Sequence, residues 1–196
     1  MIDRALSTLS SAALRKKRDS HCSYCGTAFE TTERWPRRCI ACGNVSYANP
    51  VPVAVILVPV DDGVLCVRRG GHTPSGAPEI GHGHLALPGG FIDLGETWQE
   101  AAARELREEA NVYVEPSAIS DLCVRSTDNG LVLIFGLGPT LAGADLPPFS
   151  SSDEVTDRAI VRAPVALAFP IHTEVLAAHF ARKNIKARRD ERRDSH

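Results

Sequence analysis

The sequence predicts an α+β fold, a mixed sheet with at least two helices, preceded by a small cysteine module. Three observations predict it. Two apolar runs of strand length, residues 51–60 and 64–69, flank Asp61-Asp62-Gly63, and Asp-Gly between apolar runs signals a hairpin. Residues 97–110 place Trp98, Ala102, Leu106 and Ala110 four apart, the spacing of a buried helical stripe. Two Cys-x2-Cys pairs stand ahead of both, within residues 21–48.

The cysteine module comes first in the chain. Cys22 and Cys25 form one pair, Cys39 and Cys42 the other, with 13 residues between the pairs. Gly26 and Gly43 follow the second cysteine of each pair and permit the tight turns that aim backbone amides at thiolates. Four thiolates in two such knuckles close a tetrahedral Zn²⁺ site with no open position, so the zinc is expected to be structural. Cys66 and Cys123 sit inside apolar runs and read as small buried hydrophobes. No secretory signal is visible, and a reducing, cytoplasmic compartment favours metal over disulfides.

Composition narrows the class. Of 196 residues, 43% are apolar and 23% charged, an ordinary globular mix. The longest apolar run, residues 51–60, contains Pro52 and Pro59 and is too short to span a bilayer. The formal charge of −2 is unevenly spread. Residues 1–20 carry five basic and two acidic groups, residues 177–196 seven and three, which leaves 10 basic and 19 acidic groups between them. An acidic centre suits divalent cations and matches nucleic-acid phosphates poorly. The basic ends read as solvated termini.

The remaining elements follow in order. Residues 1–20 read as a flexible leader, 21–48 as a zinc ribbon, 49–183 as the main domain and 184–196 as a basic flexible tail. Residues 70–84 hold five glycines, two prolines and three histidines (His72, His82, His84), a long loop of functional character. A short strand over residues 85–87 ends in Pro88-Gly89-Gly90. Thr97 with Glu100 makes a capping box at the helix start, and Asn111 suits a left-handed cap at its end. Strands are expected near 112–115, 119–127, 131–137 and 155–162, with an Asn129-Gly130 turn and a loop over 138–153. A last helix is expected over 172–183.

The helix carries the chemistry. Glu105, Glu108 and Glu109 lie at i, i+3 and i+4, on one face, where like charges repel. A hard cation such as Mg²⁺ offsets that repulsion, since it prefers carboxylate oxygens. A merely solvated face, with Glu100, Arg104 and Glu108 in i,i+4 pairs, is the alternative. Gly89-Gly90 upstream favours the site, because a bare backbone can approach a phosphate or offer a carbonyl to a metal.

Gly90, five residues, Glu96, seven residues, then Arg104-Glu105-Leu106-Arg107-Glu108-Glu109-Ala110-Asn111-Val112 resembles the Nudix box, with Asn111 in place of its last glycine. The resemblance extends over roughly residues 50–180. It implies a Nudix-type α/β/α sandwich. It implies that Glu105, Glu108 and Glu109 ligate Mg²⁺ or Mn²⁺, with the Gly90 carbonyl as a further ligand and Gly89 beside it. In some members the residue matching Glu105 is instead the general base. Arg104 is then the residue that orients these carboxylates, and Glu96 a supporting partner. Glu154, with Asp153 beside it, is the candidate for a further acidic group, or equally a loop-end charge.

The ribbon, Tyr47-x-Asn49-Pro50, the box and Leu167-Ala168-Phe169 resemble the zinc-ribbon branch of the Nudix hydrolases, which includes FAD and ADP-ribose pyrophosphatases. The expected activity is hydrolysis of the diphosphate linkage in a small nucleoside diphosphate derivative to two monophosphates. NADH pyrophosphatases share the ribbon but carry a Ser-Gln-Pro-Trp-Trp signature that this sequence lacks. NADH or capped-RNA hydrolysis is the alternative within the class, and a non-catalytic nucleotide- or RNA-binding adaptor the alternative outside it. Family analogy implies a homodimer. Phe91 and Trp98 are candidates to stack on a base, although the spacing of Trp98 marks it as core.

Overall fold

A computed structural model describes residues 20–30, 34–73 and 75–194, with side chains to residue 185. The expected leader over residues 1–20 therefore lies almost wholly outside the described residues. Contacts divide the chain into Met1–Pro50 and Val51–His196.

In the first unit, β1 (Arg37–Arg38) pairs antiparallel with β2 (Val45–Ser46). Gly26 and Gly43 both adopt positive φ, 75° and 74°, and their amides donate to the carbonyls of Cys22 and Cys39, each at 2.9 Å. The two knuckles thus close by the same turn.

In the second unit, residues 53–58 are buried without a break, as strands covered on both faces require. β3 (Val51–Leu57) is central to one sheet of order β7-β3-β9-β8, built with β7 (Gly89–Phe91), β8 (Ser120–Ser126) and β9 (Leu131–Leu137). β9 runs parallel to β3, and β7 antiparallel. The second sheet contains β4 (Pro59–Val60), β5 (Gly63–Arg69), β6 (Leu85–Ala86) and β10 (Val155–Val161). The run over 51–60 is therefore two strands, broken at Val58, and the hairpin at Asp61–Gly63 joins β4 to β5.

Alternate side chains of β3 and β5 serve two cores. Ala54, Ile56, Leu65 and Val67 pack with Ala102, Leu106 and Ala110 of helix α1 (Trp98–Ala110). Val53, Val55, Val64 and Cys66 pack with Val175, Leu176 and Phe180 of helix α2 (Pro170–Asp194). The result is the expected α/β/α sandwich. Each fully buried Leu or Ile contributes about 1.5–3 kcal/mol through removal from water.

Helix α1 starts where the capping box places it. The Thr97 hydroxyl accepts from the Glu100 amide at 3.2 Å, and the Glu100 carboxylate accepts from the Thr97 amide at 2.7 Å. It ends at Asn111, which adopts φ 53°, and a loop contact and a contact from β10 hold that end. The Asn111 side chain donates to Pro148 O at 2.8 Å, and Arg158 donates to Ala110 O at 2.7 Å.

Three expectations need correction. Residues 112–115 form no ladder with the described residues: Val112 and Val114 are buried while Tyr113 and Glu115 are exposed, so the alternation is real without a strand. Gly89–Phe91 is a strand, pairing with Val53–Val55. Helix α2 continues to Asp194, past the expected end at 183 and through most of the segment read as a flexible tail. Among the described residues no helix is long and apolar enough to cross a membrane.

Candidate active site and metal centre

Helix α1 delivers its carboxylates to the edge of the sheet at β7. Arg104 is the hub. Its Nε donates to Glu96 Oε1 at 2.7 Å and its Nη2 to Glu96 Oε2 at 3.0 Å. Its Nη1 donates to Glu105 Oε1 at 2.7 Å and to Glu108 Oε2 at 3.3 Å, and Nη2 also reaches Phe91 O at 3.0 Å. One planar guanidinium thus fixes three carboxylates and the end of β7. It holds the Glu96 carboxyl down to about 2, helped by the Asp93 amide. Glu100 does not join this network; its carboxylate is spent on the helix cap.

Glu109 is buried, with Oε2 accepting from the Gly89 amide at 3.0 Å. Burial lifts its carboxyl to about 7, reinforced by the charges of Glu105 and Glu154 and opposed by the Gly89 amide and Arg69. Glu105 is also raised, by burial first and then by Glu108 and Glu154, against the pull of Arg104. Gly90 makes room for it: a Cβ there would lie 2.2 Å from Glu105 Oε1. The pocket between β7 and α1 is therefore shaped around a carboxylate.

These groups line one cleft of about 910 Å³ that includes Gly89, Gly90, Arg104, Glu105, Glu109 and Glu154. The sequence-predicted residues are mostly brought together. Glu96 and Glu108 flank the cleft through Arg104 and do not line it, and the Glu108 side chain is 53% exposed. Glu154 lies close enough for its charge to raise both Glu105 and Glu109. The loop of residues 70–84 contributes Glu79 and Ile80 to the lining but none of its three histidines. His72 instead packs on His82, ring centroids 4.8 Å apart, and His82 and His84 bond loop carbonyls. Phe91 lines the cleft, whereas Trp98 packs against the core.

The donor set fits a hard divalent cation. Glu105, Glu109 and Glu154 line the same cleft, and burial first, then their mutual charge, raises Glu105 and Glu109, a penalty that a bound cation would relieve.

Sequence reasoning missed three groups. Arg69, at the end of β5, lines the cleft and stacks over the Phe169 ring at 5.3 Å. Phe169 and His172, at the start of α2, form another wall. Phe169 entered only as part of a family segment with no site role, and no local signal marks Arg69 or His172, since β5 and α2 bring them together from distant parts of the chain. Val53, Val55, Leu131 and Leu133 make an apolar floor.

In the first unit, the sulfurs of Cys22, Cys25, Cys39 and Cys42 lie within 4.8 Å of one another. Cys22 and Cys42 are 3.7 Å apart, Cys25 and Cys39 3.5 Å. Tetrahedral ligands about 2.3 Å from zinc would stand about 3.8 Å apart, so the cluster is compatible with zinc. The Cys25 amide, with that of Tyr24 and the Ser46 hydroxyl, lowers the Cys22 thiol to about 6. Cys42 is pulled down by the Asn44 amide, yet desolvation and the other three sulfurs drive it to about 11. Crowded thiols that cannot all ionise alone are what a shared cation relieves.

Comparison with known proteins gives a family match. A family model described as NUDIX domain matches residues 49–156, over half the chain. Among curated proteins, the NAD-capped RNA hydrolase NudC of Edwardsiella ictaluri is 30% identical over 95 residues, 48% of this chain and 34% of that protein. The match thus spans about a third of the relative's length. Among solved structures, a NUDIX hydrolase from Nitrosomonas europaea superimposes with TM-score 0.62 at 23% identity, covering 81% of this chain and 88% of its own. A mutT/nudix family protein from Listeria innocua gives TM-score 0.55 at 17% identity, covering 71% and 98%. Both structural likenesses are likenesses of fold.

Proposed function

This chain belongs to the NUDIX family, and from that premise we propose that it hydrolyses the diphosphate linkage of a nucleoside diphosphate derivative, such as FAD or ADP-ribose, to two monophosphates. The observation that carries the reading is the pair Glu105 and Glu109 in one cleft, with Arg104 gripping the first and the Gly89 amide the second. Glu105, Glu108 and Glu109, with the Gly90 carbonyl, would hold Mg²⁺ or Mn²⁺. Such a cation, when bound, offsets phosphate charge and activates water at neutral pH.

The chain's own residues do the rest. Glu96 locks Arg104, and Arg104 orients Glu105 and Glu108. One glutamate of the group accepts the proton of the attacking water, and Glu154 assists from across the cleft. Arg69 adds a positive wall where a diphosphate would lie. The four cysteines would hold a structural Zn²⁺ in a ribbon ahead of the hydrolase domain. Cytoplasmic residence and homodimer formation belong to the same reading, by family analogy.

A second reading is hydrolysis of NAD-capped RNA, favoured by the named activity of the curated relative. One assay separates the two. Formation of the monophosphate products with Mg²⁺, read through a coupled phosphatase, is measured for FAD, ADP-ribose, NADH, diadenosine polyphosphates and NAD-capped RNA, at low and high salt. Turnover of a free dinucleotide at both salts supports the first reading. Turnover of capped RNA alone, falling steeply with salt, supports the second. Absence of turnover from folded, zinc-loaded protein would sink both and leave a non-catalytic binding role.

A further inference from the structure

One polar atom on the cleft wall stands without a partner. His172 is 5% exposed, and its Nδ1 is enclosed with no hydrogen bond among the described residues. Native interiors rarely strand a polar nitrogen without use. The ring is held by aromatic neighbours, Phe135 at 5.5 Å and Phe169 at 5.0 Å between centroids, both edge-on. A nitrogen left without a partner on the wall of a cleft points to a ligand that uses the ring.

The geometry of the ring supplies one. Nδ1 is the enclosed nitrogen, and His172 lines the cleft, so the ring meets the cleft with its opposite edge. An enclosed nitrogen without a partner is better left as a lone pair than as a stranded N–H, because orphaned donors are the rarer defect. The proton then sits on Nε2, facing the cleft as a donor. Burial, with the nearby Arg69 charge, keeps the ring neutral at physiological pH. The site therefore offers a hydrogen-bond donor without a full charge.

The floor beside it points to the shape of the ligand. Val53 pairs in register with Leu133, and Val51 with Leu131, so Val53, Val55, Leu131 and Leu133 present one continuous apolar surface across β3 and β9. β7, with Gly89 and Gly90 beside the glutamates, lies on the other side of β3. Two strand spacings, about 10 Å, separate β7 from β9. That distance suits a molecule whose diphosphate lies at the glycines and whose flat end lies on the floor.

We propose that His172 is a specificity-determining residue, whose Nε2–H donates to an acceptor on the edge of an uncharged heteroaromatic ring, the base of the nucleotide half, lying on the Val53–Leu133 floor. This rests on the reading of the protein as a hydrolase of nucleoside diphosphate derivatives, and it names the group that reads the base.

Binding without turnover tests it separately from that reading. Calorimetric titration with ADP is run on wild type, His172→Phe and His172→Gln, each checked for folding by its Tm. The expected result is ADP binding to wild type, weakened about tenfold or more in His172→Phe and partly restored in His172→Gln, which keeps a donor. Loss of turnover in every assay, with this binding pattern intact, would remove the hydrolase reading and leave the base site standing. Equal ADP affinity in folded His172→Phe and wild type would overturn the base site. If His172→Phe does not fold, ring ¹⁵N spectra of wild type decide: an Nε2–H tautomer whose signal shifts with ADP supports the site. An Nδ1–H tautomer, or a signal unmoved by ADP, overturns it.

Discussion

Arg104 and Glu96 meet through two parallel hydrogen bonds, 2.7 and 3.0 Å, and the same guanidinium holds Glu105 with its third nitrogen. The pair spans eight positions of sequence and turns a charged helix face into a fixed array. Arg104→Lys keeps the charge and loses the fork. Turnover should fall by about 10- to 100-fold, the usual cost of removing a group that orients a metal ligand. The Tm should change little by comparison. Kinetics and thermal denaturation of the same preparation check both halves.

Gly90→Ala should be more damaging than its size suggests. The added Cβ would lie 2.2 Å from Glu105 Oε1, so the carboxylate must leave its place. We expect about 1–3 kcal/mol of lost stability from overpacking. Activity should drop while Mg²⁺ affinity weakens. Unchanged Mg²⁺ affinity would mean that the Glu105 position does not matter to the metal.

Two buried groups give stability opposite slopes with pH in the metal-free protein. Glu109 stands at about 7 in the fold against an ordinary 4.5. The folded state therefore holds this proton more tightly, and the contribution is present below pH 4.5 and lost as pH rises to about 7. Its size is up to about 3 kcal/mol. His172 stands at about 4 against an ordinary 6.5, lowered by burial and then by Arg69. Its contribution is present above pH 6.5 and lost as pH falls toward 4. Relative to wild type, urea unfolding of Glu109→Gln should show a smaller loss of stability as pH rises from 4.5 to 7, and His172→Phe a smaller loss as pH falls from 6.5 to 4. Millimolar Mg²⁺ should remove the Glu109 slope, since a cation favours the charged carboxylate.

The ribbon should carry one zinc. Elemental analysis is expected to give one Zn²⁺ per chain, and Cys39→Ser should lose it, because Cys39 is a buried member of the cluster. Gly43→Ala should weaken retention against a chelator, since Gly43 holds φ 74° in the knuckle. Full zinc content in Cys39→Ser would contradict the four-sulfur site.

What the sequence made legible was local. The cap of α1, its stripe and its Asn111 terminus depend on residues within four positions of one another, and each appears where expected. The four cysteines converge because each knuckle is a short turn. Non-local pairing was hidden. Gly89-Gly90-Phe91 has poor strand propensity and becomes a strand only against Val53–Val55. Val112–Val114 has the right alternation but pairs with no strand among the described residues. Arg69, Phe169 and His172 reach one cleft from β5 and from the entry to α2, about a hundred positions apart, and no motif assigns them to it. The loop histidines do not line the cleft: His72 packs on His82, and His82 and His84 bond loop carbonyls.

The central claim is that the α1 carboxylates perform Mg²⁺-dependent hydrolysis of a diphosphate. The measurement that tests it most directly is the initial rate on the best nucleoside diphosphate derivative, with Mg²⁺ and with EDTA, for wild type and folded Glu109→Gln. We predict turnover only in wild type with Mg²⁺, lower by at least about a hundredfold in Glu109→Gln. Equal rates in the two proteins, or turnover that persists in EDTA, would contradict the account.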